Sequence, residues 1–283
     1  MSSEKTKEFI DALDLTKSIC KNNIFGSCVK PSAIVSIQEY IEEDQKTNKT
    51  KVMKESKEIE QLECDNETCV MKKIGLNIKD HIITEEVKTK GSWSPNLLSN
   101  FKVDGVLYDW IDSFSFFPYT FCMMDYQKTG CSITEIDIID IVSGNTTIPE
   151  TDTKRKFKCA ACIFNTDVSD GPGKHWVCVF IDTRNENIWT VEYFNSAGNP
   201  PPKPVIVWME TVRKKLMDFN PNVKVQTISV TKIRHQKSDT ECGPYVLAYI
   251  RARLSNVPIA YFMTNRVPDG TVTEFRKYIF SSM

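Results

Sequence analysis

Residues 240 to 254 constrain the chain most. Thr240-Glu241-Cys242-Gly243-Pro244-Tyr245 leads into Val246, Tyr249, Ile250 and Leu254, apolar residues at helical spacing. The pattern predicts a buried helix with Cys242 at its entrance, so the rest of the chain has to supply a core around it. Free backbone N–H groups and the positive end of the helix dipole favour a thiolate at that position. The chain has ten cysteines, and most buried cysteines are structural. A nucleophilic reading of Cys242 therefore needs a base beside it.

Composition narrows the classes. With 36 Lys+Arg against 37 Asp+Glu there is no basic surplus, and no nucleic-acid partner is expected. The longest central apolar run, Trp176 to Ile181, is too short to span a bilayer, so no membrane insertion is expected. Met1 to Leu15 carries charges throughout and has no apolar signal core, which predicts a reducing compartment with the cysteines as thiols. Cys64 and Cys69 form one close pair without a second at zinc-ligand spacing, so neither a metal nor a cofactor is expected.

The first 90 residues hold 32 charged residues, three aromatics (Phe9, Phe25, Tyr40), two glycines and one proline. Phe9, Ile10 and Leu13 repeat at helical spacing, as do Ile34, Ile37 and Ile41 after Pro31. Lys46 to Glu63 is a lysine-glutamate segment, a solvated helix or a linker. We read residues 1–90 as a helical arm and 91–283 as a separate α/β core. That core begins with a dense aromatic run from Trp93 to Phe121, in which Val103, Val106, Leu107 and Trp110 fit a helix. Ile136 to Val142 reads as a strand and 145–156 as a polar loop. Cys159–Asn165, Trp176–Asp182 and Ile188–Phe194 have strand composition, the last two close enough for a hairpin. Val205, Met209, Val212 and Leu216 mark a helix, and Val223 to Val230 a further strand.

Only three histidines can serve as a base. His81 lies in the charged arm. His235 stands seven residues before Cys242 in a polar loop. His175 opens a strong strand directly after Gly171-Pro172-Gly173, on a rigid element at its end. The hairpin partner ends at Phe194-Asn195-Ser196, which can bring Asn195 beside His175 to fix its tautomer without adding charge. Spacing favours His175, with His235 as the second candidate. Gln236, six residues before the cysteine, can donate to an oxyanion together with the Cys242 N–H.

His175-Trp176, then Asn195-Ser196, then Gln-x5-Cys-Gly at 236–243 resembles the motif set of the SUMO-processing cysteine proteases and adenovirus protease. A viral polyprotein-processing branch of that family is closer still. Its resemblance rests on Gly173-Lys174-His175-Trp176-Val177, Glu192 to Asn199, Glu241 to Tyr245, Ile250 to Leu254, Met123-Met124-Asp125 and the neighbourhood of Cys64 and Cys69. It implies a mixed central sheet flanked by helices, with His175 as base, Asn195 as orienter in place of the wider family's aspartate, Cys242 as nucleophile and Gln236 at the oxyanion. Asp239 stands where the branch has a second glutamine, so no such role falls on it. Trp176 would line the substrate channel, opposite a segment that falls on Phe101 to Asp104, where Phe101 replaces a tryptophan and Asp104 is retained.

The activity so implied is thiol endopeptidase cleavage of viral polyproteins after Gly-Gly during maturation, in host cytoplasm or in the virion. The arm is the surface expected for self-association or particle contacts. Two rivals stand beside this reading: a hydrolase that removes a ubiquitin-like modifier from host proteins, and a non-catalytic virion protein that keeps the fold for binding.

Overall fold

The computed structural model describes residues 3–13, 89–90, 98–111, 114–147 and 154–281. In chain order its elements are α1 (Ser3–Ala12), β1 (Thr89–Lys90), α2 (Asn100–Asp109), β2 (Phe116–Pro118), α3 (Tyr126–Thr129), α4 (Ser132–Glu135), α5 (Ile138–Ser143), β3 (Cys159–Asn165), β4 (Trp176–Asp182) and β5 (Ile188–Phe194). They continue with α6 (Lys203–Phe219), β6 (Lys224–Val230), α7 (Cys242–Leu254), α8 (Ile259–Thr264), α9 (Asp269–Ile279) and β7 (Phe280–Ser281).

Alternation along β4 decides the architecture. Trp176, Cys178 and Phe180 join one core with α7, while Val177, Val179 and Ile181 join a second core with α6. Both faces of the sheet are therefore covered. The sheet runs β2-β3-β4-β5-β6, with β2 parallel to β3, β3 and β4 antiparallel, β4 and β5 antiparallel, and β5 parallel to β6. This is the mixed, helix-flanked sheet expected. The three strands 159–165, 176–182 and 188–194 fall where their composition placed them.

α7 is buried on every side, as a helix enclosed between a sheet and other helices must be. Its two arginines are inside because each has partners. Arg253 makes a two-pronged contact with the fully buried Glu192 of β5, at 2.7 and 2.9 Å, and Tyr249 donates to the same carboxylate at 2.7 Å. Arg251 donates to the Leu13 carbonyl at 3.0 Å and lies 4.6 Å from the Phe114 ring centre. The Arg253–Glu192 pair ties α7 to the β4–β5 hairpin.

Two expectations need correction. Ile136–Val142 is a helix from Ile138, not a strand: Asp137 caps it by accepting the Ile139 N–H at 2.9 Å, and Ile138, Ile141 and Val142 bury one face. Not every cysteine is a free thiol, since Cys122 and Cys131 form a disulfide. Cys122 pairs with Phe164 of β3, and the chain that follows turns back so that the two Cα atoms lie 5.8 Å apart, within bridging range. The structure also divides into two compact units. The units are Met1–Thr16 with Lys88–Met283, and Lys17–Val87. α1 counts with the core because Phe9, Ile10 and Leu13 are buried in it, with Phe9 stacked on Tyr261. The helix at Ile34–Ile41, the Lys46–Glu63 segment, the Cys64–Cys69 pair, His81 and the surface expected to self-associate lie outside the described residues.

Candidate active site

The loop before β4 is built to deliver its first residues. The Asp167 carboxylate accepts from the Gly173 N–H and from Lys174 Nζ, and Asn165 Oδ1 accepts from the backbone N–H groups of Asp167 and Lys174. Gly171 packs so tightly on Asp167 that an added Cβ would lie 2.4 Å from the carboxylate. His175 follows, already oriented, at the strand entrance.

Antiparallel register pairs Cys178 with Phe194, so the end of β5 runs past the start of β4. Asn195 Oδ1 thereby stands 2.8 Å from His175 Nε2. The same Oδ1 accepts the Ala197 N–H at 2.9 Å, while Asn195 Nδ2 donates to Tyr193 Oη and to the Asn199 carbonyl. Those partners fix which end of the amide is oxygen, and that in turn places the ring proton on Nε2 and leaves Nδ1 as the acceptor. Burial lowers the His175 pKa, and the Asn195 contact offsets part of the shift.

Cys242 is the first residue of α7 and is 3% exposed. Burial raises its pKa; the backbone N–H groups of Trp176, Gly243 and Cys242 itself pull it down, and the Glu241 charge adds to the rise. The sulfur therefore faces the start of β4, one residue beyond His175. Desolvation, the largest influence at both residues, favours the neutral thiol at Cys242 and the neutral imidazole at His175.

His235, the second candidate, is a core residue. It is fully buried, its Nδ1 accepts the Val267 N–H at 3.1 Å, and burial pushes its pKa down to about 4. Its ring packs among Phe194, Tyr245 and Phe262.

Gln236 is buried in the loop before α7. Its Nε2 donates to the Ser238 carbonyl at 2.7 Å, which uses one of the two amide hydrogens. The second remains for a ligand. Trp176 lies with its indole nitrogen donating to the Leu98 carbonyl at 3.3 Å and its ring edge-on to Phe121 at 5.9 Å. Leu98 also presses on Gly243, where an added Cβ would meet the Leu98 Cβ at 3.1 Å. Asp104 accepts the Phe121 backbone N–H at 3.1 Å, and burial pushes its pKa up to about 6. Asp104 thus reaches Trp176 through Phe121, while Phe101 is 82% exposed on α2. Leu98 and Phe121 were not foreseen. Both are ordinary apolar residues, far from Trp176 in sequence, and no spacing marks them. Among the described residues no cluster of three or more His, Cys, Asp or Glu side chains could hold a metal.

His175, Asn195 and Cys242 follow one another in that order along the chain. The model of the Ulp1 protease family, C-terminal catalytic domain, matches residues 113–283. The cysteine protease of African swine fever virus from a tick isolate of Malawi is 40% identical over 233 residues, covering 78% of this chain and 84% of that protein. Its counterpart from a South African tick isolate, called SUMO-1 cysteine protease, matches to the same extent. The crystal structure of the African swine fever virus protease superposes with a TM-score of 0.65 at 34% identity, covering 91% of this chain and 92% of that one. The chain belongs to the Ulp1 protease family and is a cysteine protease.

Proposed function

We propose that this protease cuts viral polyproteins after Gly-Gly, in host cytoplasm or in the particle during maturation. The viral relatives support the setting. The observation that carries the specificity is the immobilised Trp176, braced by Leu98 and Phe121 directly beside the nucleophile. A wall held from two sides does not yield to a side chain on the residues just before the scissile bond. A methyl forced into such a slot costs about 1–3 kcal/mol, roughly ten- to two-hundredfold in rate.

In the reaction so proposed, His175 Nδ1 takes the Cys242 proton as the sulfur attacks the carbonyl carbon. The oxyanion is held by the Cys242 N–H and the second Gln236 amide hydrogen. The imidazolium then protonates the leaving amine, and water, activated by the same histidine, hydrolyses the thioester. Asn195 keeps the ring in the one tautomer that can do this.

The test is kcat/KM on matched peptides with Gly-Gly, Gly-Ala and Ala-Gly before the cut, for the unmutated enzyme and Trp176→Ala. Gly-Gly should be cleaved best by at least tenfold, and Trp176→Ala should lose rate on Gly-Gly and narrow the gap. Equal cleavage of Ala-Ala and Gly-Gly by the unmutated enzyme would refute the slot. Release of a ubiquitin-like modifier shares the same chemistry, and some relatives are called SUMO-1 cysteine proteases. A folded SUMO fusion cut much faster than the matching Gly-Gly peptide would favour that second reading.

A further inference from the structure

Two adjacent residues after β5 reach in different directions. Asn195 is committed to His175. Ser196, which is 0% exposed, turns to the loop before α7, and its Oγ lies 2.7 Å from Gln236 Oε1. A glutamine carbonyl carries no hydrogen, so the serine hydroxyl is the donor. The Ser196 carbonyl accepts the Gln236 backbone N–H at 2.9 Å. One residue thus holds both the backbone and the side chain of a partner forty positions away.

The two contacts on the Gln236 amide are complementary. Ser196 takes its oxygen and the Ser238 carbonyl takes one of its hydrogens. A flipped amide would set its oxygen against the Ser238 carbonyl oxygen, a repulsion that the Ser196 hydroxyl, able to donate or accept, would not relieve. The Ser238 carbonyl therefore sets the orientation of the amide and the Ser196 hydroxyl anchors its oxygen, which leaves the second amide hydrogen outside both contacts. Without the Ser196 hydroxyl the buried Oε1 loses its partner, and only one contact is left to orient the amide.

We propose that Ser196 is a positioning residue for the oxyanion donor, holding the Gln236 amide so that its second N–H meets the negative charge created when Cys242 attacks. This rests on the reading of Gln236 as that donor. The hairpin end then serves the mechanism twice, with Asn195 orienting the base and Ser196 orienting the oxyanion amide.

A double-mutant cycle tests it. kcat and KM on a Gly-Gly peptide are measured for the unmutated enzyme, Ser196→Ala, Gln236→Ala and the double variant, together with the rate of Cys242 alkylation by iodoacetamide. Alkylation is a displacement at saturated carbon that develops no oxyanion, so it reports the Cys242–His175 pair alone. Gln236→Ala should lower kcat about a hundredfold, as loss of one oxyanion donor does. Ser196→Ala should lower kcat about tenfold with KM little changed, since one buried hydrogen bond is removed. Its effect should vanish in the Gln236→Ala background, and its alkylation rate should match the unmutated enzyme. An Ser196→Ala defect that persists undiminished without Gln236, or that slows alkylation equally, would overturn the proposal; so would a fully active Ser196→Ala. A fully active Gln236→Ala would overturn the oxyanion reading itself and the positioning role with it. Should Ser196→Ala fail to fold, Ser196→Cys keeps the volume with a weak donor, and the same outcomes decide.

Discussion

His175 Nε2 and Asn195 Oδ1 stand 2.8 Å apart, twenty residues distant in sequence but neighbours across the open end of the β4–β5 hairpin. The contact is neutral, so it orients the ring without holding an imidazolium. Asn195→Asp keeps the acceptor for His175 and for the Ala197 N–H and adds a charge. We expect it to retain activity and to move the acid limb of kcat/KM to higher pH, because the carboxylate stabilises the protonated ring. Asn195→Ala should lose about ten- to a hundredfold. An unmoved acid limb in the aspartate variant, or full activity in the alanine variant, would remove Asn195 from the mechanism.

Burial lowers the His175 pKa below the ordinary 6.5 and raises the Cys242 pKa above the ordinary 9.0. A neutral pair is active between its two values. The acid limb of kcat/KM should thus lie below pH 6.5 and the alkaline limb above pH 9, a broader bell than free imidazole and thiol would give. The ultraviolet thiolate absorbance of the unmutated enzyme, with that of Cys242→Ala subtracted, should be absent at neutral pH. A constant thiolate signal across neutral pH would mean a resting ion pair instead.

His175 and His235 separate into chemistry and stability. His175→Ala should lose on the order of a thousandfold in rate, since the base is gone. His235→Gln should leave kcat close to that of the unmutated enzyme and change the response of folding to acid. The folded His235 pKa is depressed from 6.5 to about 4, so its contribution is fully present above 6.5 and is lost as pH falls toward 4. A shift of that size corresponds to about 3 kcal/mol for this fully buried ring. Thermal midpoints measured from pH 7 to 4 should fall less steeply in His235→Gln. Parallel curves for the two proteins would contradict the assignment, and a large loss of kcat in His235→Gln would reopen the choice of base.

The parts of this site that were legible in the sequence are those written in local pattern. Short apolar runs of strand composition marked β3, β4 and β5, and a gap of five residues marked the hairpin, which together placed Asn195 at His175. Cys242 at the head of an apolar helical repeat was legible for the same reason. Ile136–Val142 was not, because a short apolar run of β-branched residues fits both periods; the cap at Asp137 and the burial of Ile138, Ile141 and Val142 decided it. Ser196 against Gln236, Leu98 against Trp176 and Asp104 against Phe121 are long-range pairings of common residue types. Composition and spacing carry no record of them. The absence of an export signal predicts thiols throughout, whereas the chain path sets Cys122 and Cys131 side by side.

The central claim is that Cys242, deprotonated by His175, is the nucleophile. Intact-mass analysis after addition of a peptide ending in a Gly-Gly electrophile tests it most directly, with proteolytic mapping of the modified residue. The account predicts one adduct per chain, on Cys242, formed rapidly by the unmutated enzyme, slowly by His175→Ala and not at all by Cys242→Ala. An adduct on another cysteine, or equal labelling of Cys242→Ala, would contradict it.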